Sequence, residues 1–358
     1  MQSVLRKKKV LVAMSGGVDS SVAALLLKEA GYEIVGATML LGVHRSGDHA
    51  GRFTDESVAD AQRVCGQLGI PHRILDFAGL MEQRVIGQFI LEYQSGRTPN
   101  PCVECNRHLK FGALLAKARG LGFDYLATGH YAKIEKRDGR WTLLRPKDEA
   151  KDQTYFLYSI PAGDLPSILF PLEGMTKTQV RQKAKQAALQ AAHRKDSQDI
   201  CFVTTGNYRK WFEDRRLPVA PGDIVDEAGR VLGTHQGIAF YTIGQRSGLG
   251  ISAKQPLYVL RFEPAKNQVI VGHREALLSP GLMAGRLNWF YDRFPEAMEA
   301  KIRYRKKPAR CRVAPEGGRV KVVFEQLQEA ITPGQSVVFY AADEVLGGGI
   351  IEEVVRAR

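Results

Sequence analysis

The sequence lacks two common loops by which nucleotide-binding domains hold phosphates. No Gly-Lys-Ser or Gly-Lys-Thr tripeptide occurs in the chain, which excludes a Walker A motif. The Gly-x-Gly-x-x-Gly dinucleotide fingerprint is also missing after the first apolar run. Because no run of eighteen apolar residues is present, the sequence predicts no membrane-spanning helix. The basic segment Met1–Lys9 lacks the apolar stretch of a secretory signal, so we expect a cytoplasmic protein.

Cysteine and acidic residues are also in short supply. Five cysteines occur in 358 residues, and this small odd number argues against a secreted disulfide framework. Asp and Glu number 38 against 51 Lys and Arg, which gives a formal net charge of +13. Such an excess is compatible with a merely solvated basic surface, but it also suits a polyanionic partner such as RNA. The length indicates two or three domains.

Residues 9–28 contain a different phosphate-binding pattern. Val10–Ala13 is a short apolar run typical of a buried parallel strand, and the dense apolar run Val22–Leu27 favours a helix. Between them, Ser15–Ser21 (Ser-Gly-Gly-Val-Asp-Ser-Ser) has two glycines that permit close backbone approach to a ligand, and Ser and Asp residues suited to cap a helix. A helix N-terminus attracts anions, so this turn predicts a phosphate site.

Strands and helices are expected to alternate up to about residue 205. The expected strands are Glu33–Met39, Pro71–Asp76 and Tyr125–Thr128, and the expected helices are Asp55–Leu68, Leu80–Tyr93, Arg107–Arg119 and Thr176–Leu189. This alternation predicts an α/β fold with a doubly wound parallel sheet. Ligands bind beyond the carboxyl ends of such strands, so Ser15–Asp19, Met39 and Gly129-His130 are expected to share one crevice.

The pattern changes after residue 205. A Pro/Gly-rich stretch at 218–222 is followed by closely spaced short strands, which predict a small barrel toward the C-terminus. We therefore expect an α/β catalytic domain at 1–205, a small mixed central domain at 206–280 and a β-barrel-like domain at 281–358. The segment Lys301–Arg312 has seven cations in twelve residues and no acid, with Tyr304 interleaved, which is typical of an RNA-binding surface.

The cysteines form the second informative pattern. Two prolines stiffen the loop around Asn100, and Cys105 is expected at the N-terminus of the helix that begins at Arg107. Neighbouring cations and a helix N-terminus stabilise a thiolate, so Cys105 is a candidate nucleophile. Cys102-x-x-Cys105 by itself fits half a zinc site, a redox pair or two reactive thiols. Cys201, taken alone, is typical of a buried core cysteine.

Seven segments in order resemble the tRNA-specific 2-thiouridylases of the PP-loop ATP pyrophosphatase superfamily. They are Ser15–Ser21, Thr98–Lys110, Tyr125–Tyr131, Lys151–Phe156, Asp196–Phe202, Phe240–Gly250 and Lys301–Arg305. The resemblance covers essentially the whole chain. It implies a tRNA-uridine 2-sulfurtransferase that uses Mg²⁺ and ATP to adenylate O2 of a uridine, the wobble U34, and then delivers sulfur from a cysteine persulfide, leaving 2-thiouridine, AMP and pyrophosphate.

The resemblance also implies a role for individual residues. ATP would be bound by Ala13, Met14, Ser15, Gly16, Gly17, Val18, Asp19, Ser20, Met39 and Gly129. The target base and tRNA would be contacted by Asn100, Pro101, Cys102, His130, Lys151, Asp152, Gln153, Arg303, Tyr304 and Gln335, the last three from the C-terminal domain. Cys105 would be the nucleophile and Cys201 the persulfide carrier, with a Cys105–Cys201 disulfide left after turnover. The partners would be the tRNAs for Lys, Glu and Gln and a persulfide donor protein.

Cys102 departs from the family pattern, in which many members have Asp at this position. A third cysteine permits a second interpretation, in which Cys102, Cys105 and Cys201 bind three irons of a [4Fe–4S] cluster. The favoured prediction is the persulfide route without such a metal. Two further alternatives are another PP-loop adenylating enzyme, such as an amidating ligase or a 4-thiouridine synthase, and a noncatalytic RNA-binding protein with structural ATP.

Overall fold

The computed structural model describes residues 7–42, 55–194, 200–203, 208–291, 295 and 298–356. The chain forms two compact units, one made of 1–85, 102–206 and 343–345 and the other of 86–101, 207–342 and 346–358. The predicted sequence segment Asp196–Phe202 lies largely outside the described residues, and only its last three residues can be discussed.

The first unit is built on a parallel sheet. Its strands are β1 Lys9–Ala13, β2 Glu33–Leu40, β3 His72–Asp76, β4 Tyr125–Ala127, the hairpin strands β5 Lys133–Arg137 and β6 Arg140–Leu144, and β7 Ile168–Leu169. Five of them make the sheet in the order β3-β2-β1-β4-β7, and every neighbouring pair is parallel. Because β1 lies between β2 and β4, the chain reverses its direction of winding there, as the alternation of elements predicts.

Helices cover the sheet. In chain order the α-helices of the molecule are α1 Val18–Glu29, α2 Asp55–Leu68, α3 Ala78–Met81, α4 Gly87–Gln94, α5 Pro101–Glu104, α6 Leu115–Gly120, α7 Lys177–Gln186 and α8 Tyr208–Asp214, with π-helical segments at Glu82–Ile86 and Cys105–Leu114. Short 3₁₀ turns lie at Glu149–Lys151, Thr154–Phe156, Ala162–Ser167, Gln190–His193, Ile238–Phe240, Pro264–Lys266 and Arg274–Leu277. Val10 and Val12 of β1 pack against Val22 of α1, Val64 of α2 and Val180 of α7 in one buried cluster.

The second unit contains two β structures. A small mixed sheet has the order β10-β11-β8-β9, from strands β8 Gly222–Val225, β9 Val231–His235, β10 Tyr258–Glu263 and β11 Gln268–Gly272. The other strands are β12 Leu278–Trp289, β13 Met298–Lys301, β14 Ala309–Glu316, β15 Arg319–Glu329, β16 Ser336–Ala341 and β17 Glu344–Val355. They pair in the order β12-β15-β14-β13-β16-β17, and β12 pairs with β17, so in the described residues they close a six-stranded antiparallel barrel.

The predicted fold class is therefore confirmed: a doubly wound parallel sheet, a small mixed sheet and a C-terminal barrel. Two local predictions were wrong. The expected helix Leu80–Tyr93 is interrupted by a π-helical turn, and the helix expected to begin at Arg107 begins at Pro101, before both cysteines of the Cys-x-x-Cys pair. Proline suits the first turn of a helix because its missing N–H would have no partner there.

Candidate active site

The loop after β1 is folded by its own serines. The Ser15 N–H donates to Ser20 Oγ (3.2 Å), and the Gly17 N–H donates to Ser15 Oγ (3.4 Å). The hydroxyls of Ser20 and Ser21 donate back to the Gly17 carbonyl at 3.1 and 2.8 Å. Gly17 is the N-cap of α1, so the expectation of a Ser or Asp cap was wrong. The serines instead close the turn around the helix N-terminus, where anions are stabilised.

The two other strand ends predicted to contact ATP flank this loop. Met39 lies near the end of β2, and Gly129 follows β4, and both strands are direct neighbours of β1. A Cβ added to Gly129 would lie 2.7 Å from the backbone N of Ser20, so only glycine lets β4 approach the loop this closely. The structure thus brings all ten predicted ATP-binding residues to the carboxyl edge of adjacent strands.

Asp19 has a partner that the sequence did not reveal. The Lys177 ammonium donates to both carboxylate oxygens of Asp19, at 2.7 and 2.8 Å, and the Tyr131 hydroxyl donates to Oδ1 at 2.9 Å. Lys177 is the first residue of α7, and its backbone N–H donates to Asp148. The negative charge of Asp19 is therefore compensated by Lys177, which lies 158 residues further along the sequence. In the sequence, Thr176 was a candidate cap for this helix, but no pattern indicated that the helix contacts Asp19.

Cys105 does not lie at a helix N-terminus, as predicted, but inside a continuous helical stretch that begins at Pro101. Its side chain is buried, and loss of solvation raises the pKa of its thiol although the Lys110 ammonium opposes the shift. The predicted lowering of the pKa of Cys105 by a helix N-terminus is therefore wrong. Burial destabilises the thiolate relative to the neutral thiol, and a nearby cation offsets part of that destabilisation.

The other two thiols lie close to Cys105. Desolvation raises the pKa of Cys201 to about 12, and it interacts electrostatically with Cys105, Cys102 and Lys110. Cys102 reaches solvent, yet crowding by protein atoms raises the pKa of its thiol to about 11, with further interactions with Cys105 and Lys110. None of the five cysteines forms a disulfide in the structure. The fold thus brings together two thiols, Cys105 and Cys201, that are 96 positions apart in sequence.

These three thiols do not make a metal centre in the structure. Among the described residues, no group of three or more His, Cys, Asp and Glu side chains is arranged to hold a metal ion. The [4Fe–4S] interpretation of Cys102, Cys105 and Cys201 stays an alternative prediction.

His130 is the neighbour of Lys110. The Lys110 Nζ lies 3.4 Å from His130 Nε2, and His130 Nδ1 lies 2.7 Å from the Thr128 hydroxyl. The half-buried ring packs against Phe111 and Phe170. Burial, together with Lys110, holds the pKa of His130 well below its usual value, so the ring is neutral and its Nε2 accepts from the ammonium.

Several residues expected to contact tRNA form internal hydrogen bonds. Asp152 is buried and accepts from the N–H and hydroxyl of Thr154, and Gln153 accepts from the Tyr131 N–H at 2.8 Å. Lys151 lies in a short 3₁₀ turn before them. Their geometry fits residues that position the segment around His130, and their contact with tRNA stays a prediction.

The second unit contains the remaining predicted tRNA contacts. Arg303 Nη2 donates to the carbonyls of Ile243 and Ala330 and to the Thr332 hydroxyl. Gln335 Nε2 donates to the carbonyl of Thr98 at 2.9 Å and to that of Pro99 at 3.3 Å. Gln335 thus braces the loop that leads to Asn100 and Pro101.

Tyr304 lies beneath the Lys301 ammonium, 5.4 Å from ring centroid to Nζ. Exposed cations follow it in the same segment: Arg305, Lys307, Arg310 and Arg312. This is the exposed part of the predicted basic track.

Family models match three consecutive parts of the chain. A model described as "tRNA methyl transferase HUP domain" matches residues 8–205, "tRNA methyl transferase PRC-barrel domain" matches 210–273, and "Aminomethyltransferase beta-barrel domain" matches 279–351. The tRNA-specific 2-thiouridylase MnmA 1 of Syntrophus aciditrophicus is 56% identical over 98% of this chain and 94% of its own length. The tRNA-specific 2-thiouridylase MnmA of Clostridium botulinum (strain Alaska E43) is 49% identical over 98% and 99%.

A solved structure, the U34-tRNA thiolase NcsA from Methanococcus maripaludis with its [4Fe–4S] cluster, is 18% identical, covering 61% of this chain and 70% of that one. Its TM-score is 0.36, and we draw nothing from so weak a likeness.

The parallel sheet and its Ser-Gly-Gly-x-Asp-Ser loop define an ATP-using domain of the PP-loop class. Identities of 49–56% over nearly full length define the family more closely. The chain belongs to the tRNA-specific 2-thiouridylase family, as its motifs predicted.

None of the helices among the described residues has the length and apolar character needed to cross a membrane.

Proposed function

We propose that this chain is a tRNA-uridine 2-sulfurtransferase. It binds ATP at the loop after β1, adenylates O2 of a uridine in tRNA, and replaces that oxygen with sulfur from a persulfide on Cys201. The relatives that match nearly the whole chain are named 2-thiouridylases, which supports sulfur transfer rather than the methyl transfer in the family-model descriptions. The single observation that carries the chemistry is the electrostatic contact among Cys201, Cys105 and Lys110 within the domain that contains the ATP loop.

Adenylation makes the substitution possible because the uracil O2 is a poor leaving group. Attack of O2 on the α-phosphate of ATP forms the O2–P bond and releases pyrophosphate, which the N-terminus of α1 and its serines are placed to stabilise. Mg²⁺ prefers carboxylate and phosphate oxygens, and Asp19, whose side chain is 34% exposed, offers the matching donor. The ion would supply charge neutralisation on the phosphates.

Sulfur then reaches C2 by a balanced exchange. The terminal sulfur of the Cys201 persulfide loses its proton and forms a bond to C2, and AMP leaves with the former O2. The Cys105 thiolate attacks the sulfur of Cys201, breaks the S–S bond to the transferred sulfur and releases 2-thiouridine. In an alternative order, Cys105 attacks first and releases sulfide, which then attacks C2. Both orders leave a Cys105–Cys201 disulfide that a thiol reductant must reopen.

The remaining expectations belong to the same proposal. The substrates would be the tRNAs for Lys, Glu and Gln, modified at the wobble U34, and a persulfide protein would donate sulfur to Cys201. A cytoplasmic location is part of the same proposal. Division of the chain at 1–205, 206–280 and 281–358 also stays a proposal.

The test is nucleoside mass analysis of unmodified tRNA after incubation with the protein, Mg-ATP and a persulfide donor. We expect 2-thiouridine with the wild-type chain and with the control Cys311→Ala, whose thiol is buried in the barrel. Cys105→Ser and Cys201→Ser should form none, while ATP is still bound. Product from Cys201→Ser at the wild-type rate would refute the persulfide assignment, and a requirement for anaerobic iron loading would favour the cluster.

Pyrophosphate release separates the rival functions in the same reaction. Release that depends on tRNA and precedes thiolation supports the proposal. Release without tRNA, but with a small-molecule acceptor, would indicate an amidating ligase. No release under any condition would indicate a noncatalytic RNA-binding protein.

A further inference from the structure

The three thiols of the site share one cation. Cys102, Cys105 and Cys201 come from different positions, one in α5, one at the start of the π-helical segment and one in residues 200–203. Cys105 is buried, Cys201 is half-buried and Cys102 reaches solvent, but neighbouring protein atoms raise the pKa of all three thiols, and in each case Lys110 opposes the shift. Neither the motif resemblance nor the proposed mechanism gives Lys110 a role.

The π-helical register explains why Lys110 reaches Cys105. In an α-helix, a residue five positions further along lies about 140° around the axis, which is nearly the opposite face. A π-helix closes its turns with hydrogen bonds between residues i and i+5, which brings residue i+5 back over residue i. The segment Cys105–Leu114 is π-helical, so Lys110 lies on the face of Cys105. An ordinary α-helix here would direct the ammonium away from the thiol.

The ammonium is held in place by a neutral acceptor. His130, from the loop after β4, lies 3.4 Å from Lys110 Nζ, and its other ring nitrogen is engaged with Thr128. A carboxylate in this position would cancel the positive charge, whereas a neutral imidazole orients the ammonium and leaves its charge available to the thiols. Among the described residues, the titratable groups that interact with Lys110 include His130 and the three cysteines. The nearby carboxylate of Glu104 is paired with His108 at 3.2 Å.

We propose that Lys110 is a positioning residue of the sulfur-transfer site, where its ammonium is the counter-ion of the Cys105 thiolate and then of the sulfur that is released from Cys201. The inference rests on the proposed function and deepens it. In the exchange described above, negative charge moves from the Cys105 thiolate to the released sulfur, and the lysine keeps its proton throughout. One fixed cation stabilises both the start and the end of that transfer, because both sulfurs lie within its field.

The test measures thiol reactivity without tRNA, ATP or a sulfur donor, so it is independent of whether the proposed function holds. Initial rates of iodoacetamide alkylation are measured between pH 7 and 10.5 for each cysteine by peptide mass analysis. In Lys110→Met we expect the rates of Cys102, Cys105 and Cys201 at neutral pH to fall about tenfold, with each profile shifted upward by about one pH unit. Cys65 and Cys311 serve as internal references.

Two control variants separate charge from structure. Lys110→Arg keeps the cation and should return the profiles toward wild type. Lys117→Met removes an exposed lysine from the next helix and should leave every profile unchanged. Unchanged reactivity of all three thiols in Lys110→Met would overturn the proposal, as would an equal slowing in Lys110→Arg, which would show that packing rather than charge is responsible.

Turnover gives the second readout. With a persulfide donor, Lys110→Met should lower kcat for 2-thiouridine and leave the KM values for ATP and tRNA near those of the wild type. A raised KM for tRNA with unchanged thiol reactivity would assign the lysine to RNA binding and reject the proposal. If the wild-type chain forms no 2-thiouridine but the thiol profiles shift as expected, the proposed function fails and the electrostatic role of Lys110 stands.

Discussion

Gly16 shows how a single residue fixes the ATP loop. Its φ of +72° lies in the left-handed region, and an added Cβ would lie 2.8 Å from Asp60 Cβ and 2.9 Å from the Ser57 carbonyl oxygen. Both neighbours belong to α2, so the loop packs directly on that helix. The sequence indicated that glycine was needed for close approach to a ligand. The structure shows that close approach to the protein's own helix is a second reason.

We therefore predict that Gly16→Ala weakens ATP binding by more than tenfold and destabilises the fold by about 1–3 kcal/mol. Gly31→Ala is the matched control, because Gly31 has a φ of +82° and nothing within 4 Å of an added Cβ. It should lose stability from backbone strain alone and bind ATP normally. Urea unfolding and calorimetric titration with a nonhydrolysable ATP analogue measure the two effects. Equal ATP affinity in both variants would show that the close contact between Gly16 and α2 is not needed to shape the ATP loop.

Residue identities were predicted better than residue partners. Cys105 and Cys201 were singled out by motif, and the fold places them together. Lys177 was not assigned a role, and Lys110 was only one of several cations expected beside Cys105, because the contacts of both lysines depend on which helix face meets the loop. Asp19 to Lys177 is a contact across 158 residues, and no local pattern encodes it. The sequence signals for these two lysines were weak. They were a plausible helix cap at Thr176, next to Lys177, and a cluster of cations after Cys105 that includes Lys110.

At the scale of elements, the strands and most helices were predictable from apolar periodicity. Asp55–Leu68 was expected with the same bounds that α2 has. The π-helical segment Cys105–Leu114 was not predictable, because its residues have ordinary helical propensities and the widened turn is set by packing. That segment decides which cation meets Cys105. The predicted pKa direction for Cys105 was wrong for a different reason, because the fold buries the thiol.

Helix α7 offers a test of how an element positions an ATP-site side chain. Thr176 Oγ1 accepts from the Gln179 N–H at 3.3 Å and Gln179 Oε1 accepts from the Thr176 N–H at 2.9 Å, a complete capping box that fixes Lys177 next to it. We predict that Thr176→Ala costs about 1 kcal/mol of stability and weakens ATP binding severalfold. Thr176→Ser keeps the hydroxyl and should retain both. Thermal unfolding measures the stability of the two variants, and ATP titration measures their affinity. Loss of ATP affinity in both variants would contradict the role of the Thr176 hydroxyl in positioning Lys177.

At the scale of the whole molecule, the alternation of strands and helices up to residue 205 and the closely spaced strands after it predicted the architecture. The parallel order β3-β2-β1-β4-β7 follows from strand–helix alternation, and closure of the barrel by β12 and β17 follows from short strands at close spacing. The residues that contact RNA were harder to predict than the fold. Arg303, expected to contact RNA, donates to three acceptors of its own unit, whereas Arg305, Lys307, Arg310 and Arg312 are exposed.

The net charge of +13 and this exposed track predict that tRNA binding depends strongly on salt. Neutralising about six phosphates should lower the affinity roughly a thousandfold between 50 and 200 mM salt. The triple variant Arg305→Gln, Arg310→Gln, Arg312→Gln should reduce the slope of log affinity against log salt by roughly 2–3. Arg230→Gln is the control, because Arg230 is highly exposed but paired with Asp226 in the small sheet region. Filter-binding titrations across the salt range measure the slopes. Each phosphate contact that the variant loses should reduce the number of counterions released on binding and so reduce the slope. Equal slopes for the triple variant and the wild type would therefore mean that these three arginines do not contact RNA phosphates.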